Sequence, residues 1–203
     1  MKTLIAVPAM SWIYTEFLQA MLELDKPDAH ISVQKNSLIY DSRNNLAWAA
    51  VSRGYDRVLW LDSDMAFDPD LLTQLNADMD ENGLDYVCGV FTQRNEKRMP
   101  CIYSNIHWEN TGTKLITSAT PVQDVPAGLF EIAGSGFGAV LTKTAMLKAV
   151  GEEYGLPFMP MPGLGEDLAF CWRAKQLGYK MYCDGRIDVG HIGQFTYRRQ
   201  ANV

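Results

Sequence analysis

The sequence predicts a single α/β domain with a mostly parallel central sheet flanked by helices, and three observations carry that expectation. Short unbroken apolar runs, "LIAVPA", "RVLWL" and "DYVCGVFT", have the length and hydrophobicity of strands covered on both faces. Between them lie segments whose apolar residues recur at helical spacing, and this alternation builds a parallel sheet through right-handed crossovers. A chain of 203 residues is long enough for one good core but not for two independent domains.

The elements follow in order. After the first strand, Ser11 is placed to cap a helix that buries Ile13, Phe17, Met21 and Leu24 and stops at "DKPD". A second helix is expected from Asp41 or Ser42 to Arg53, closed by Gly54. The strand "RVLWLD" precedes a helix with Asp68 and Pro69 at its start and Leu72, Leu75 and Met79 on one face; Asn82-Gly83 ends it before "DYVCGVFT". Residues 93 to 130 mix charges, Thr, Pro and Gly with short apolar runs, the pattern of hairpins and loops. "EIAGSGFGAVLT" reads as one Gly-rich strand, with Thr144 capping the helix after it. A Pro/Met/Gly loop then opens onto a helix from about Leu168 to Leu177, followed by the strand "YKMYCD", "DVGHIG" and a polar tail.

Composition narrows the functional classes. The chain is 47% hydrophobic and 21% charged, with a formal net charge of -6, so nothing attracts polyanions in general and nucleic-acid binding is not expected. Its four cysteines form no CxxC pair and no His/Cys cluster, which predicts reduced thiols rather than a zinc site or a disulfide framework. The apolar stretch in "MKTLIAVPAM" is too short for a signal peptide, and no run reaches the ~18 apolar residues of a spanning helix, so a cytoplasmic location is expected.

Three places carry chemistry. In "VLWLDSDMAF", Asp62 and Asp64 follow a buried strand, at the carboxyl-end rim where open parallel sheets bind ligands. Residues two apart share a side while the chain stays extended, so both carboxylates can converge on one divalent cation; a polar turn is the structural alternative. Glu166 and Asp167 open a helix, where acids are favoured as caps, but a carboxylate delivered by a flexible loop also suits a general base. His191 stands between two glycines after the last strand and would suit Mn2+ beside carboxylates. His30 and His107 have no comparable company. "AGSGFG" allows close approach of something to the backbone, or is simply a bulge. Arg94, Lys97, Arg98, Arg198 and Arg199 are candidate anion contacts or solvated charge, the tail being a candidate lid; Trp108 is a candidate stacking ring or surface packing.

Taken together, "LDSDMAFDPDLLTQL", "AGSGFGAVLTKTAM", "GEDLAFCWRAKQLGYKMYCD" and "GHIG" resemble a GT-A glycosyltransferase of the inverting family 2 type, over most of the chain from "IAVPA" to Gly193. The resemblance implies a donor half, 1–92, and an acceptor and catalytic half, 93–203. It implies that Asp62, Asp64 and His191 hold Mn2+ or Mg2+, that Asp167 is the base, and that Pro8, Arg43, Asp62 and Ser63 meet the nucleotide. Arg43, in "DSRNN", resembles an "ARN" segment, with Ser42 in place of the alanine. The implied donor is a nucleotide-diphosphate sugar, a UDP-sugar first, and the acceptor is a hydroxyl; the transferred group would be hexosyl or N-acetylhexosaminyl. Three rivals share some features: a haloacid dehalogenase-like phosphatase, which also follows an apolar strand with DxD but would have Thr or Val where this chain has Met65; a sugar-nucleotide pyrophosphorylase, whose Gly-rich, Arg/Lys-bearing loop after the first strand is lacking in "PAMSWIYTEF"; and a non-catalytic nucleotide-sugar or glycan-binding module.

Overall fold

The computed structural model describes residues 1–35 and 38–193. The chain runs β1 (Thr3–Ala9), α1 (Thr15–Glu23), β2 (Ala29–Lys35), α2 (Ile39–Ser52), β3 (Arg57–Leu61), β4 (Met65–Ala66), α3 (Leu71–Asn82) and β5 (Tyr86–Val90). It continues through β6 (Ile102–Asn110), β7 (Leu115–Pro121), β8 (Leu129–Ile132), β9 (Gly134–Ser135), β10 (Ala139–Lys143), α4 (Thr144–Tyr154), α5 (Glu166–Gln176), β11 (Met181–Asp188) and β12 (Gly190–His191). Among the described residues, seven strands form the central sheet in the order β2-β1-β3-β10-β5-β11-β8. β1, β2, β3, β5 and β11 share one direction; β10 and β8 run against it. The predicted α/β class is the observed one.

Alternation along the inner strands sorts the core into two layers. Val58 and Trp60 of β3 face the layer filled by Leu46 and Ala47 of α2, Leu147 of α4 and Phe170 of α5. Leu59 and Leu61 face the opposite layer, filled by Phe17 and Met21 of α1 and Leu72 and Leu75 of α3. Every residue of β1, β3 and β5 is buried, as their unbroken apolar runs require.

Several local expectations are corrected. α1 begins at Thr15, not at a Ser11 cap, with Tyr14 at its N-cap position. α3 begins at Leu71 with Asp70, not Asp68, at the N-cap; Gly83 does close it, at φ 65°. Thr144 is the first residue of α4 rather than its cap, and its hydroxyl is buried without a partner. β2 is an edge strand that alternates exposed Ile31 and Val33 with polar residues, so no continuous apolar run signals it.

The largest difference lies in "EIAGSGFGAVLT", which is three strands, not one. A Cβ on Gly134 would stand 2.5 Å from the Cβ of Cys171, and one on Gly138 2.9 Å from Met65 Sδ and from the Phe91 ring. The segment therefore threads between α5 and β4, leaving β8 at the sheet edge, pairing β9 with β6 and inserting β10 antiparallel between β3 and β5.

β11, which leads to His191, is secured partly by charge. Asp184 accepts from Arg186, whose Nη2 also reaches Asp78 of α3 at 3.3 Å. Burial and the neighbouring Asp184 push the Asp78 carboxyl up to about 6, whereas the donors of Arg186 outweigh burial and hold Asp184 below its ordinary value. A raised folded pKa means that the native state loses stability as pH climbs from about 4 through 6. Asp78→Asn is thus expected to be more stable than the parent at pH 8, by about 1 kcal/mol after allowing for solvent screening, with the gain shrinking by pH 5. Urea denaturation at the two pH values checks this; an equal difference at both would remove Asp78 as its source.

Candidate active site

The first acidic pair sits where β3 ends. Met65 N–H donates to Asp62 O at 3.2 Å, so the chain turns immediately after the strand. That turn undoes the extended-chain geometry that would aim Asp62 and Asp64 the same way. Asp62 accepts from Arg43 at 2.7 Å, whereas Asp64 faces His191 and Arg94. Both still line one cleft of about 560 Å³, together with Pro8, Ser63, Arg94 and His191.

His191 arrives by a second route. β12 pairs antiparallel with β4, setting His191 opposite Met65, and Ile192 N–H donates to Asp64 O at 2.8 Å. The imidazole lies edge-on to Phe91, its Nδ1 is 2.7 Å from the Thr92 carbonyl, and its Nε2 is 3.4 Å from Asp64 Oδ2. A carbonyl only accepts, so Nδ1 carries a proton and Nε2 of the neutral ring turns a lone pair toward the carboxylate. Two electron-rich atoms facing each other call for a cation or a proton between them. Burial works against a charge on His191, but Asp64 and Thr92 outweigh it and raise its pKa. A nitrogen and a carboxylate oxygen with the histidine oriented from behind fit a divalent ion such as Mn2+. Among the described residues no group of three or more His, Cys, Asp or Glu side chains is gathered to hold a metal, so further ligands would come from substrate or water.

Across the rim lies a buried ion bridge. Arg43, on α2 and 3% exposed, donates to Asp62 and, at 2.5 Å, to Glu166 at the start of α5. Its guanidinium stands 5.4 Å above the Phe137 ring. Burial opposes this charge, but Asp62, Glu166 and Asp167 together raise the Arg43 pKa above its ordinary value. Burial likewise pushes Asp62 up against the pull of Arg43. Ser42 lines the cleft, while Arg43 is buried beneath it, between Asp62 and Glu166. Glu166, which sequence alone marks only as a helix-start acid, is the second arm of this bridge. No sequence signal pairs residues 123 positions apart.

Asp167 follows Glu166 in the first turn of α5, two residues earlier than the predicted helix start, and lies outside the cleft lining. Its Oδ1 accepts from Leu168 N–H at 2.7 Å, and a Cβ on Gly136 would be 3.6 Å from its Oδ2. Burial pushes this carboxyl up to about 6, with Arg43 pulling the other way and Glu166 adding to the rise. A carboxylate with that pKa is ionised at neutral pH yet basic enough to take a hydroxyl proton. Tyr103 and Cys101 are its neighbours, both titrating high because they are buried and near its charge, the Cys101 thiol at about 11.

The Gly-rich segment is anchored from below. Phe137 is buried against Trp60, Phe158 and Phe170, with ring centroids 5.0 to 5.9 Å apart, which presents Gly136 and Gly138 to the rim. Tyr86 OH and Ser135 Oγ are 2.7 Å apart and fix the preceding turn. Trp108 is edge-on to Trp172 and donates to Pro162 O at 3.1 Å, tying the β6–β7 hairpin to the loop that delivers Asp167. Arg94 reaches the cleft; the Arg198 and Arg199 tail lies outside the described residues.

The family model described as Glycosyl transferase family 2 matches residues 15–132, more than half of the chain. The chain belongs to glycosyl transferase family 2. Glycosyl transfer is accordingly its activity class, and the phosphatase alternative falls away. Solved structures carry the same fold. A197 from STIV superposes with a TM-score of 0.70 at 18% identity, over 96% of this chain and 87% of that one. GalNAc-T7 with UDP, GalNAc and Mn2+ gives 0.64 at 11% identity, over 96% of this chain. TarS 1-349 of S. aureus gives 0.58 at 15%, over 95%. This family 2 chain spans 44% of the GalNAc-T7 chain and 60% of the TarS chain. No curated protein sequence matches it. Among its described residues, no helix is long and apolar enough to cross a membrane.

Proposed function

We propose that this glycosyltransferase moves a hexosyl or N-acetylhexosaminyl group from a nucleotide-diphosphate sugar, a UDP-sugar first, to an acceptor hydroxyl with inversion at the anomeric carbon, in the cytoplasm. The observation that carries the reading is the single cleft shared by Pro8, Asp62, Ser63, Asp64 and His191, whose two acids come from the first third of the chain and whose histidine comes from its last tenth. Asp64 and His191 would hold Mn2+ or Mg2+, with Asp62 as the other acid of the rim. A metal there neutralises charge that builds on the departing diphosphate.

Asp167 accepts the proton of the acceptor hydroxyl. The oxygen attacks the anomeric carbon from the face opposite the diphosphate, and the bond from that carbon to the diphosphate oxygen breaks with both electrons leaving on the nucleotide. Residues up to 92 then supply most of the donor side, and later residues supply the base and the acceptor surface.

Thermal shift with a panel of nucleotide sugars, with and without Mn2+, tests the reading, because stabilisation grows with ligand concentration over Kd. One donor is expected to stand out only with metal present. Asp64→Ala should abolish that metal-dependent increment while leaving the unliganded melting temperature within a few degrees. Donor binding equal with and without metal, or unchanged in Asp64→Ala, overturns the metal assignment. Binding without transfer or hydrolysis would instead identify a non-catalytic binding module.

A further inference from the structure

Arg94 is not explained by the donor and base assignments, and its position is unusual. It lies just beyond β5, 45% exposed, yet its guanidinium is inside the cleft: Nη1 is 3.0 Å from Asp64 Oδ2 and 3.2 Å from Ile192 O. Its aliphatic stem runs along Gly193, where an added Cβ would be 3.3 Å from Arg94 Cδ. The carboxylate oxygen it meets is the one that faces His191 Nε2 at 3.4 Å. One oxygen thus serves the guanidinium and completes the Asp–His pair that fits a divalent ion in this cleft.

We infer that Arg94 is a competitive latch: it occupies Asp64 in the donor-free protein and transfers to the donor diphosphate when metal and nucleotide bind. The inference rests on the glycosyltransferase reading above and assigns the step that reading leaves open, how a site with two protein ligands avoids binding metal unproductively. A guanidinium and a divalent cation placed on one carboxylate repel each other, so either weakens the other. A diphosphate offers Arg94 several oxygens and bidentate geometry, a better partner than one carboxylate oxygen. Donor binding therefore removes the latch from Asp64 and tightens metal binding, and by linkage metal tightens donor binding by the same factor. The exposed side chain and the glycine under its stem leave room for the swing.

The test measures the two ligands separately in wild type, Arg94→Ala and Asp64→Ala, using Mn2+ alone followed by electron paramagnetic resonance and UDP by calorimetry. The variants have opposite signs. Mn2+ alone is expected to bind Arg94→Ala about threefold more tightly than wild type, since an exposed ion pair is a weak competitor. UDP in saturating Mn2+ is expected to bind the same variant about tenfold more weakly, having lost a charge-assisted contact. Unchanged Mn2+ affinity in Arg94→Ala, with Mn2+ still lost in Asp64→Ala, overturns the latch and leaves the glycosyltransferase reading standing. Equal Mn2+ binding by wild type and Asp64→Ala overturns the metal site itself. A fall in both affinities in Arg94→Ala means that arginine supports the site instead of competing for it. Arg94→Lys separates charge from fork geometry: it is expected to keep most of the Mn2+ competition but less than half of the gain in UDP binding.

Discussion

Asp167→Asn is expected to lower kcat by about 10²- to 10⁴-fold, the range that general-base assistance supplies, while the donor Kd measured with Mn2+ stays within about twofold. Asparagine keeps the size of the side chain and can still accept from Leu168 N–H, so the start of α5 survives and only the proton acceptor is lost. Wild-type kcat/KM should fall as pH drops through about 6, where burial places this carboxyl, and the residual activity of the variant should lack that acid limb. Stability moves the other way. The folded carboxyl titrates above its unfolded value, so the native state loses stability between about pH 4 and 6 and carries the full deficit at neutral pH. Asp167→Asn should therefore be more stable than wild type at pH 7.5, by on the order of 1–2 kcal/mol since the group is only half-buried, and the gain should disappear near pH 4. A catalytic base is here a group whose removal stabilises the fold. Full turnover by the variant, or a wild-type acid limb that persists unchanged in it, removes Asp167 from the role.

How much of this was legible in the sequence follows from what each feature depends on. Strands buried on both faces need unbroken apolar runs, so "RVLWL" and "YVCGV" announce themselves and with them the rim that carries Asp62 and Asp64. The edge strand β2 needs no such run, and the glycines at 134, 136 and 138 read as one strand because only the packed neighbours of each show that the chain must bend there. The acidic pair and His191 were placed on one cleft by their types and order. Their orientation was not, because the turn after Asp62 is a tertiary outcome that breaks the two-residue periodicity. Least legible was the bridge from Arg43 to Glu166. By sequence, Arg43 is placed only through its resemblance to an "ARN" segment, and only the assembled fold shows it buried between Asp62 and Glu166.

That bridge sets the second large expectation. Arg43→Ala should cost about 3 kcal/mol of stability at pH 7.5, toward the lower end of values for removing one partner of a buried pair because Asp62 and Glu166 retain 27% and 17% exposure. The cost comes from the two carboxylates left facing each other without their cation, so it should shrink in acid as Asp62, whose pKa burial already raises, takes up a proton. Arg43→Ala combined with Glu166→Gln should recover part of it at pH 7.5, since one unpaired charge is gone; additive losses in the double variant would place the cost in packing over Phe137 instead. Arg43→Lys tests the geometry, because a single ammonium cannot fork to both Asp62 and Glu166, and it should lie between alanine and wild type. Two origins of a loss in UDP binding are then separable. If Arg43 acts through Asp62 from beneath the cleft, the lysine variant loses stability and UDP affinity together. If it touched the nucleotide directly, affinity would fall with stability intact, and urea unfolding of the unliganded variant decides between them before any assay of transfer.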